Sequence, residues 1–356
     1  MKELLASAVR TLVNSETQVV LLARSHPINW LELKTRLTDS WNAGQPQEPV
    51  FRFAAPPNLT RLRLALHDVE KWVEQQGPWG ELLAARAREL ELEAELAEHI
   101  GDVHIRSLAA RRFAAMDEAS TVTLRQQARR WSQIAVTDST DEVVRSDDEQ
   151  DERSLLCLMR RELEICHYPF PVVLESRLAP IAAVDNRFVW IRPGVLMRPI
   201  DARRIVLHEV HGHVVRRVAT QCPEYSGYAC GVARAGEDEE GRALWLEEKE
   251  GLLDSRRKAE LGKRHLAADA CRQGASFCDG VALLLNLDTS IDLAIGIALR
   301  VWRGGGIARE IVYLDAFERA GKILPESPEI DQWMTRGRLS IDVASKLASG
   351  VLQPLT

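Results

Sequence analysis

The residues best suited to chemistry are His208-Glu209-Val210-His211-Gly212-His213. Imidazoles beside a carboxylate suit a divalent metal, and zinc needs its nitrogen and oxygen donors to converge within about 2.0–2.2 Å. On a regular helix residues i and i+4 share a face, so metal-binding histidines commonly take the H-E-x-x-H spacing. Here the spacing is H-E-x-x-x-H. Five residues advance an ideal helix by about 500°, which leaves two such imidazoles about 140° apart. His208 and His213 therefore converge only if the helix carries an extra residue, for instance a π-bulge, and Gly212 sits where that distortion is cheap. His208 and His211, at i and i+3, are the other pair that one face offers. The plainer alternative is three histidines satisfied by core hydrogen bonds or lying at the surface.

A further ligand must come from elsewhere. The segment 243–254, ALWLEEKEGLLD, supplies Glu247, Glu250 and Asp254. On a helix these lie at i, i+3 and i+7 along one face, which reads either as a ligand source or as a solvated acidic face.

The elements that must position these groups follow from periodicity. Segment 199–220, PIDARRIVLHEVHGHVVRRVAT, reads as an apolar helix with Asp201 as its N-cap. Before it, Ser154 to His167 reads as an amphipathic helix. Pro171 to Glu175 and Arg187 to Arg192 read as strands, an antiparallel pair joined by 176–186. The first third is helical: 60–76, 79–100 and one or two helices in 103–136, interrupted by the Pro-rich stretch 44–58. Residues after 243 are again mostly helical. The expected fold class is α+β, mainly α, in three parts. These are a helical region at 1–136, an acidic linker or mobile loop at 137–153, and a zincin-like domain at 154–356 with a small antiparallel-type sheet. The linker, TDSTDEVVRSDDEQDER, lacks the ordered acid pattern of a calcium loop.

Composition narrows the function classes. The formal net charge of -6 gives no global basic field, so nucleic acid is not the expected partner. The most apolar stretch, Val281 to Val301, carries Asp288 and Asp292, which argues against a membrane span. The N-terminus lacks an uninterrupted apolar run of the signal-peptide kind, so the expected location is the cytoplasm. Six scattered cysteines form no C-x-x-C pair, which fits reduced thiols rather than a thiolate zinc ribbon. His104, His167 and His265 are isolated and read as structural or surface residues.

Together these segments resemble the QEGLA-motif family, which includes bacterial members and the animal microtubule-associated tyrosine carboxypeptidases. The family carries H-E-x-x-x-H followed some tens of residues later by an acidic E-G element, here matched to Glu247-Glu248-Lys249-Glu250-Gly251-Leu252-Leu253. A third similar element runs from Arg300 to Leu314, RVWRGGGIAREIVYL. Asn29-Trp30, Pro49-Val50-Phe51-Arg52-Phe53 and Ile100-Gly101-Asp102 fit more loosely. The chain departs from the family at His211 (usually Gly), Lys249 (Gln), Leu253 (Ala) and Ala308 (Thr). These departures touch no presumed metal ligand and bear on the substrate.

The resemblance implies a zinc peptidase, most specifically a carboxypeptidase acting on the C-terminus of a peptide or protein. By that resemblance His208, His213 and Glu250 hold zinc, with Glu247 as the fallback third ligand. A water fills the open position, and Glu209 is its general base. Tyr313 is the expected oxyanion donor. Arg309, then Arg300 and Arg303, are expected to hold the substrate carboxylate, for which an arginine fork is well matched. The rival classes are a non-catalytic metal-containing regulator or peptide-binding protein, and a metal-dependent hydrolase of non-peptide amides. The intact Glu209 weighs against the first.

Overall fold

The computed structural model describes residues 2–114, 118–136 and 142–355. Residues 115–117 of the helical region and 137–141 of the acidic segment lie outside the described residues. The chain is 63% helix and 4% strand, so helices must do most of the positioning. It divides into two compact units, each built from separated segments: Glu3–Ala135 with Ser255–Asp315, and Val136–Asp254 with Ala316–Thr356.

In the first unit, the core is made by Leu33 and Leu37 of the helix Trp30–Asn42 with Phe277, Val281, Ile295, Ala298 and Trp302. The apolar stretch Val281–Val301 is two helices, Phe277–Leu285 and Ile291–Val301. Ser276 and Asp279 form a capping box at the start of the former, and Asp288 takes a positive φ of 51° between the two. No helix among the described residues is long and apolar enough to cross a membrane.

The loosely matching N-terminal elements of the sequence meet the Gly-rich stretch here. Gly101 N–H donates to Gly304 O at 2.8 Å, and Gly304 N–H donates to Ser25 O at 2.9 Å. The Asn29 side chain bridges to Val50 O and Arg52 N at 3.1 and 3.0 Å. Gly304 has φ +67°, and a Cβ there would lie 2.6 Å from Ile307 Cδ1, so only glycine fits both conformation and space.

The second unit contains the five strands found among the described residues: β1 Val144–Arg145, β2 Val172–Leu174, β3 Ala182–Val184, β4 Val189–Ile191 and β5 Leu196–Met197. β1 pairs antiparallel with β5, so part of the acidic segment is ordered, and Ser154 caps the next helix, Leu155–Ile165. The other sheet has the order β2-β4-β3. β2 and β4 do pair, but parallel rather than antiparallel. The reason is β3, which lies within the expected connection and pairs antiparallel with β4, so the chain reverses twice. Asp185 makes the second reversal by accepting from the backbone N–H of Arg187 and Phe188, both at 2.7 Å.

The motif helix runs unbroken from Pro199 to Ala219 in three registers: α over Pro199–Val206, π over Leu207–Val214 and α over Val215–Ala219. It starts two residues before Asp201. Pro199 takes the first position, where its missing N–H costs nothing, and Asp201 instead accepts from the Arg198 guanidinium at 2.7 and 3.0 Å. Ala202, Ile205, Val206, Val210 and Val214 form its buried stripe, packed with Leu155, Leu156, Met159 and Leu163 and with Val189 and Ile191 of β4.

Candidate metal centre

A π-turn closes its hydrogen bonds between i and i+5, so it adds the residue per turn that the H-E-x-x-x-H spacing requires. The π-helical segment brings the His208 and His213 rings to a centroid distance of 5.1 Å. His211 turns elsewhere: its Nε2 lies 2.7 Å from Glu162 Oε1 on the helix Leu155–Ile165.

The facing element is the helix Ala235–Lys249. Its approach depends on Gly212, where a Cβ would lie 2.8 Å from Ala243 Cβ. The glycine thus serves close helix contact. Three glutamates of this helix then reach the histidines. Glu247, fully buried, accepts from His208 Nδ1 at 2.7 Å. Glu239 accepts from His213 Nδ1, also at 2.7 Å. Glu240 Oε2 lies 3.4 Å from His208 Nε2 and 4.0 Å from His213 Nε2.

This arrangement divides the labour between carboxylates. A carboxylate can only accept, so each Nδ1 carries its proton and each Nε2 presents a lone pair when the ring is neutral. Both free nitrogens face Glu240, and the three donor atoms lie within 4.8 Å of one another. Two imidazoles and a carboxylate, with both rings oriented by further carboxylates, match the donor set of an open zinc site. The electrostatics agree. Burial alone would lower the His208 pKa, but the hydrogen bonds to Glu240 and Glu247 and the nearby Glu209 reverse this and raise it to about 10. The surroundings thus favour positive charge where the cation would sit.

Glu239 is itself fixed. Burial would raise its pKa, but Arg216, His213 and Arg217 hold it well below the usual carboxylate range. Fully buried Arg216 is anchored in turn by donating to Gly337 O at 2.9 Å and Leu339 O at 2.7 Å.

Glu250, the expected third ligand, does not join the group. The helix ends at Lys249, Gly251 takes φ +67°, and Glu250 is left exposed as the C-cap. Asp254 lies beyond the helix and pairs with Arg198 at 2.9 Å. The residue missed was Glu240. The sequence held a signal for it: Glu239-Glu240-Gly241-Arg242-Ala243 repeats the E-G pattern ten residues earlier and keeps the final Ala that Leu253 lacks. Glu240 and Glu247, seven apart, also share a helix face. Glu209 is half-buried, and its side chain makes no hydrogen bond or ion pair among the described residues.

Arg300, Arg303, Arg309 and Tyr313 belong to the first unit and form a cluster there. Buried Glu310 accepts from Arg300 Nε at 2.6 Å and lies 3.5 Å from Arg303 Nη2. The Tyr313 hydroxyl accepts from Arg309 at 3.0 Å and Arg300 at 3.2 Å, so its own proton remains available to donate.

The fold is mainly α-helical, and two histidines and one carboxylate converge on its π-helical turn. Residues 41–354 match the microtubule-associated tyrosine carboxypeptidase family, and the chain belongs to that family. Membership supports carboxypeptidase-type peptidase activity on a protein or peptide. Comparison with curated proteins and with solved structures gives no significant match.

Proposed function

We propose that the protein is a zinc-dependent carboxypeptidase whose metal is held by His208, His213 and Glu240. The observation that carries this reading is the convergence of both Nε2 atoms on Glu240, with each Nδ1 occupied by a separate carboxylate. When bound, zinc would lower the pKa of a water to about 7 and polarise the scissile carbonyl.

The chain's own residues do the rest. Glu247 and Glu239 hold the two rings in one tautomer. Glu209 receives the proton of the attacking water and returns it to the leaving amine. β3 packs beside the π-helical segment and is an edge strand of its sheet, which supports alignment of an extended peptide by backbone pairing. Arg309 is the proposed anchor for the substrate carboxylate and Tyr313 the proposed oxyanion donor.

Elemental mass spectrometry tests the ligand set: Glu240→Ala should hold one zinc fewer per chain than wild type, and Glu250→Ala as much as wild type. Cleavage of peptides with free and amidated C-termini tests the exopeptidase reading. Equal rates on both, unaltered by Arg309→Ala, would remove the carboxylate anchor.

A further inference from the structure

The motif residue that this proposed function leaves unused is His211. We propose that His211, Glu162 and Cys166 form a second divalent-cation site, suited to zinc, that staples the motif helix to the helix Leu155–Ile165. Glu162 and Cys166 are one turn apart at i and i+4, with Cys166 as the C-cap of that helix. His211 Nε2 lies 2.7 Å from Glu162 Oε1, and Cys166 Sγ lies 3.8 Å from the same oxygen. The three donor atoms all fall within 4.8 Å of one another.

Thiolate, imidazole and carboxylate are the protein ligands zinc takes, and thiolate favours it over magnesium or calcium. All three residues are half-exposed, so water can complete the coordination. Among the described residues no lysine or arginine forms an ion pair with Glu162. The third His and acid group, His67, Glu70 and Glu91, differs on both counts: it has no thiol, and Glu70 is already paired with Arg88 at 2.9 Å. On binding, Cys166 loses its thiol proton to solvent, the His211 proton moves by exchange with water from Nε2 to Nδ1, and the Glu162–His211 hydrogen bond gives way to two metal bonds. The staple joins two helices that share one apolar core, and metal binding there adds to folding stability.

The site shares no ligand with His208, His213 and Glu240, so the two fail separately. The full chain, stripped of metal, is titrated with zinc and with cobalt(II). We expect two equivalents bound in wild type and one in Cys166→Ser. The cobalt form of wild type should show a near-ultraviolet thiolate-to-cobalt charge-transfer band, which the thiol-free first site cannot give. That band should persist in Glu240→Ala and vanish in Cys166→Ser. A band with only one equivalent in wild type would still uphold this site while removing the first. No band, or a band surviving Cys166→Ser, would overturn the proposal.

Discussion

Two buried charge clusters, one in each unit, have opposite sign. Around His208 and His213 stand Glu239, Glu240 and Glu247; burial would lower the His208 pKa, but Glu240, Glu247 and Glu209 outweigh it and push the pKa up to about 10. Around Glu310 stand Arg303, Arg300, Arg264 and Arg309. They outweigh burial in the other direction and bring its carboxyl down to about 2. Burial in turn lowers the Arg264 pKa to about 10, against the pull of its own partner Glu260. Buried charge is costly unless matched, so the charge around each cluster bears on what it can hold. The first cluster favours a cation, as the proposed zinc requires. The second gathers Arg300, Arg303 and Arg309 around Glu310 and Tyr313, in the unit that carries the proposed carboxylate anchor.

The sharpest test of the first cluster separates chemistry from binding. Glu209→Gln removes the proposed proton acceptor but no ligand. Its kcat should fall by about 10²–10⁴-fold, with zinc content and melting temperature unchanged. Loss of zinc in this variant would mean that Glu209 acts on the metal rather than on the water.

The second cluster is tested by acid. Glu310→Gln leaves Arg300 and Arg303 without their buried partner and should destabilise the protein by about 3–5 kcal/mol at neutral pH. The folded pKa of Glu310 is depressed from 4.5 to about 2, so its stabilisation is full above pH 4.5 and is lost as pH falls through that window. Denaturant titrations of wild type and variant should therefore converge between pH 4.5 and 2. A difference that stays constant with pH would show that packing, not charge, is responsible.

The two clusters were unequally legible in the sequence. The motif forced the expectation of a π distortion, because five residues cannot close on one face of an α-helix, and the π-helical segment lies where that argument put it. The helical segments were legible from apolar spacing. The third carboxylate was not, because two E-G elements lie ten residues apart and local pattern could not say which faced inward. That depended on the helix ending at Lys249, which left Glu250 exposed and Glu247 buried. β3 was missed because Ala182-Ala183-Val184 is short and only weakly β-forming, so the direction of its neighbours was misread. The regrouping of 255–315 with the N-terminal segment depends on long-range packing, which has no local signal.

The ring-holding carboxylates give the next effect in size. Glu247→Gln replaces an anionic acceptor on His208 Nδ1 with a neutral amide, and zinc affinity should fall by about 10–100-fold. Glu250→Gln should leave it unchanged. Competition with a chelator measures both. Equal affinities would mean that Glu247 is a buried structural acid and does not tune the site.

The smallest effect concerns how the acidic helix reaches the histidines. Gly212→Ala adds a Cβ 2.8 Å from Ala243 Cβ, so the two helices must separate by a few tenths of an ångström. Overpacking of this kind costs about 1–3 kcal/mol. It should also weaken zinc binding, because Glu239, Glu240 and Glu247 all move with that helix. Gly236→Ala on the same helix meets nothing within 4 Å and should be neutral or stabilising by up to about 1 kcal/mol. Adding Ala243→Gly to Gly212→Ala returns the space, so the double variant should recover zinc affinity. If affinity recovers while stability does not, helix spacing governs the metal centre independently of the core. If neither recovers, the role of Gly212 lies in the π-turn itself.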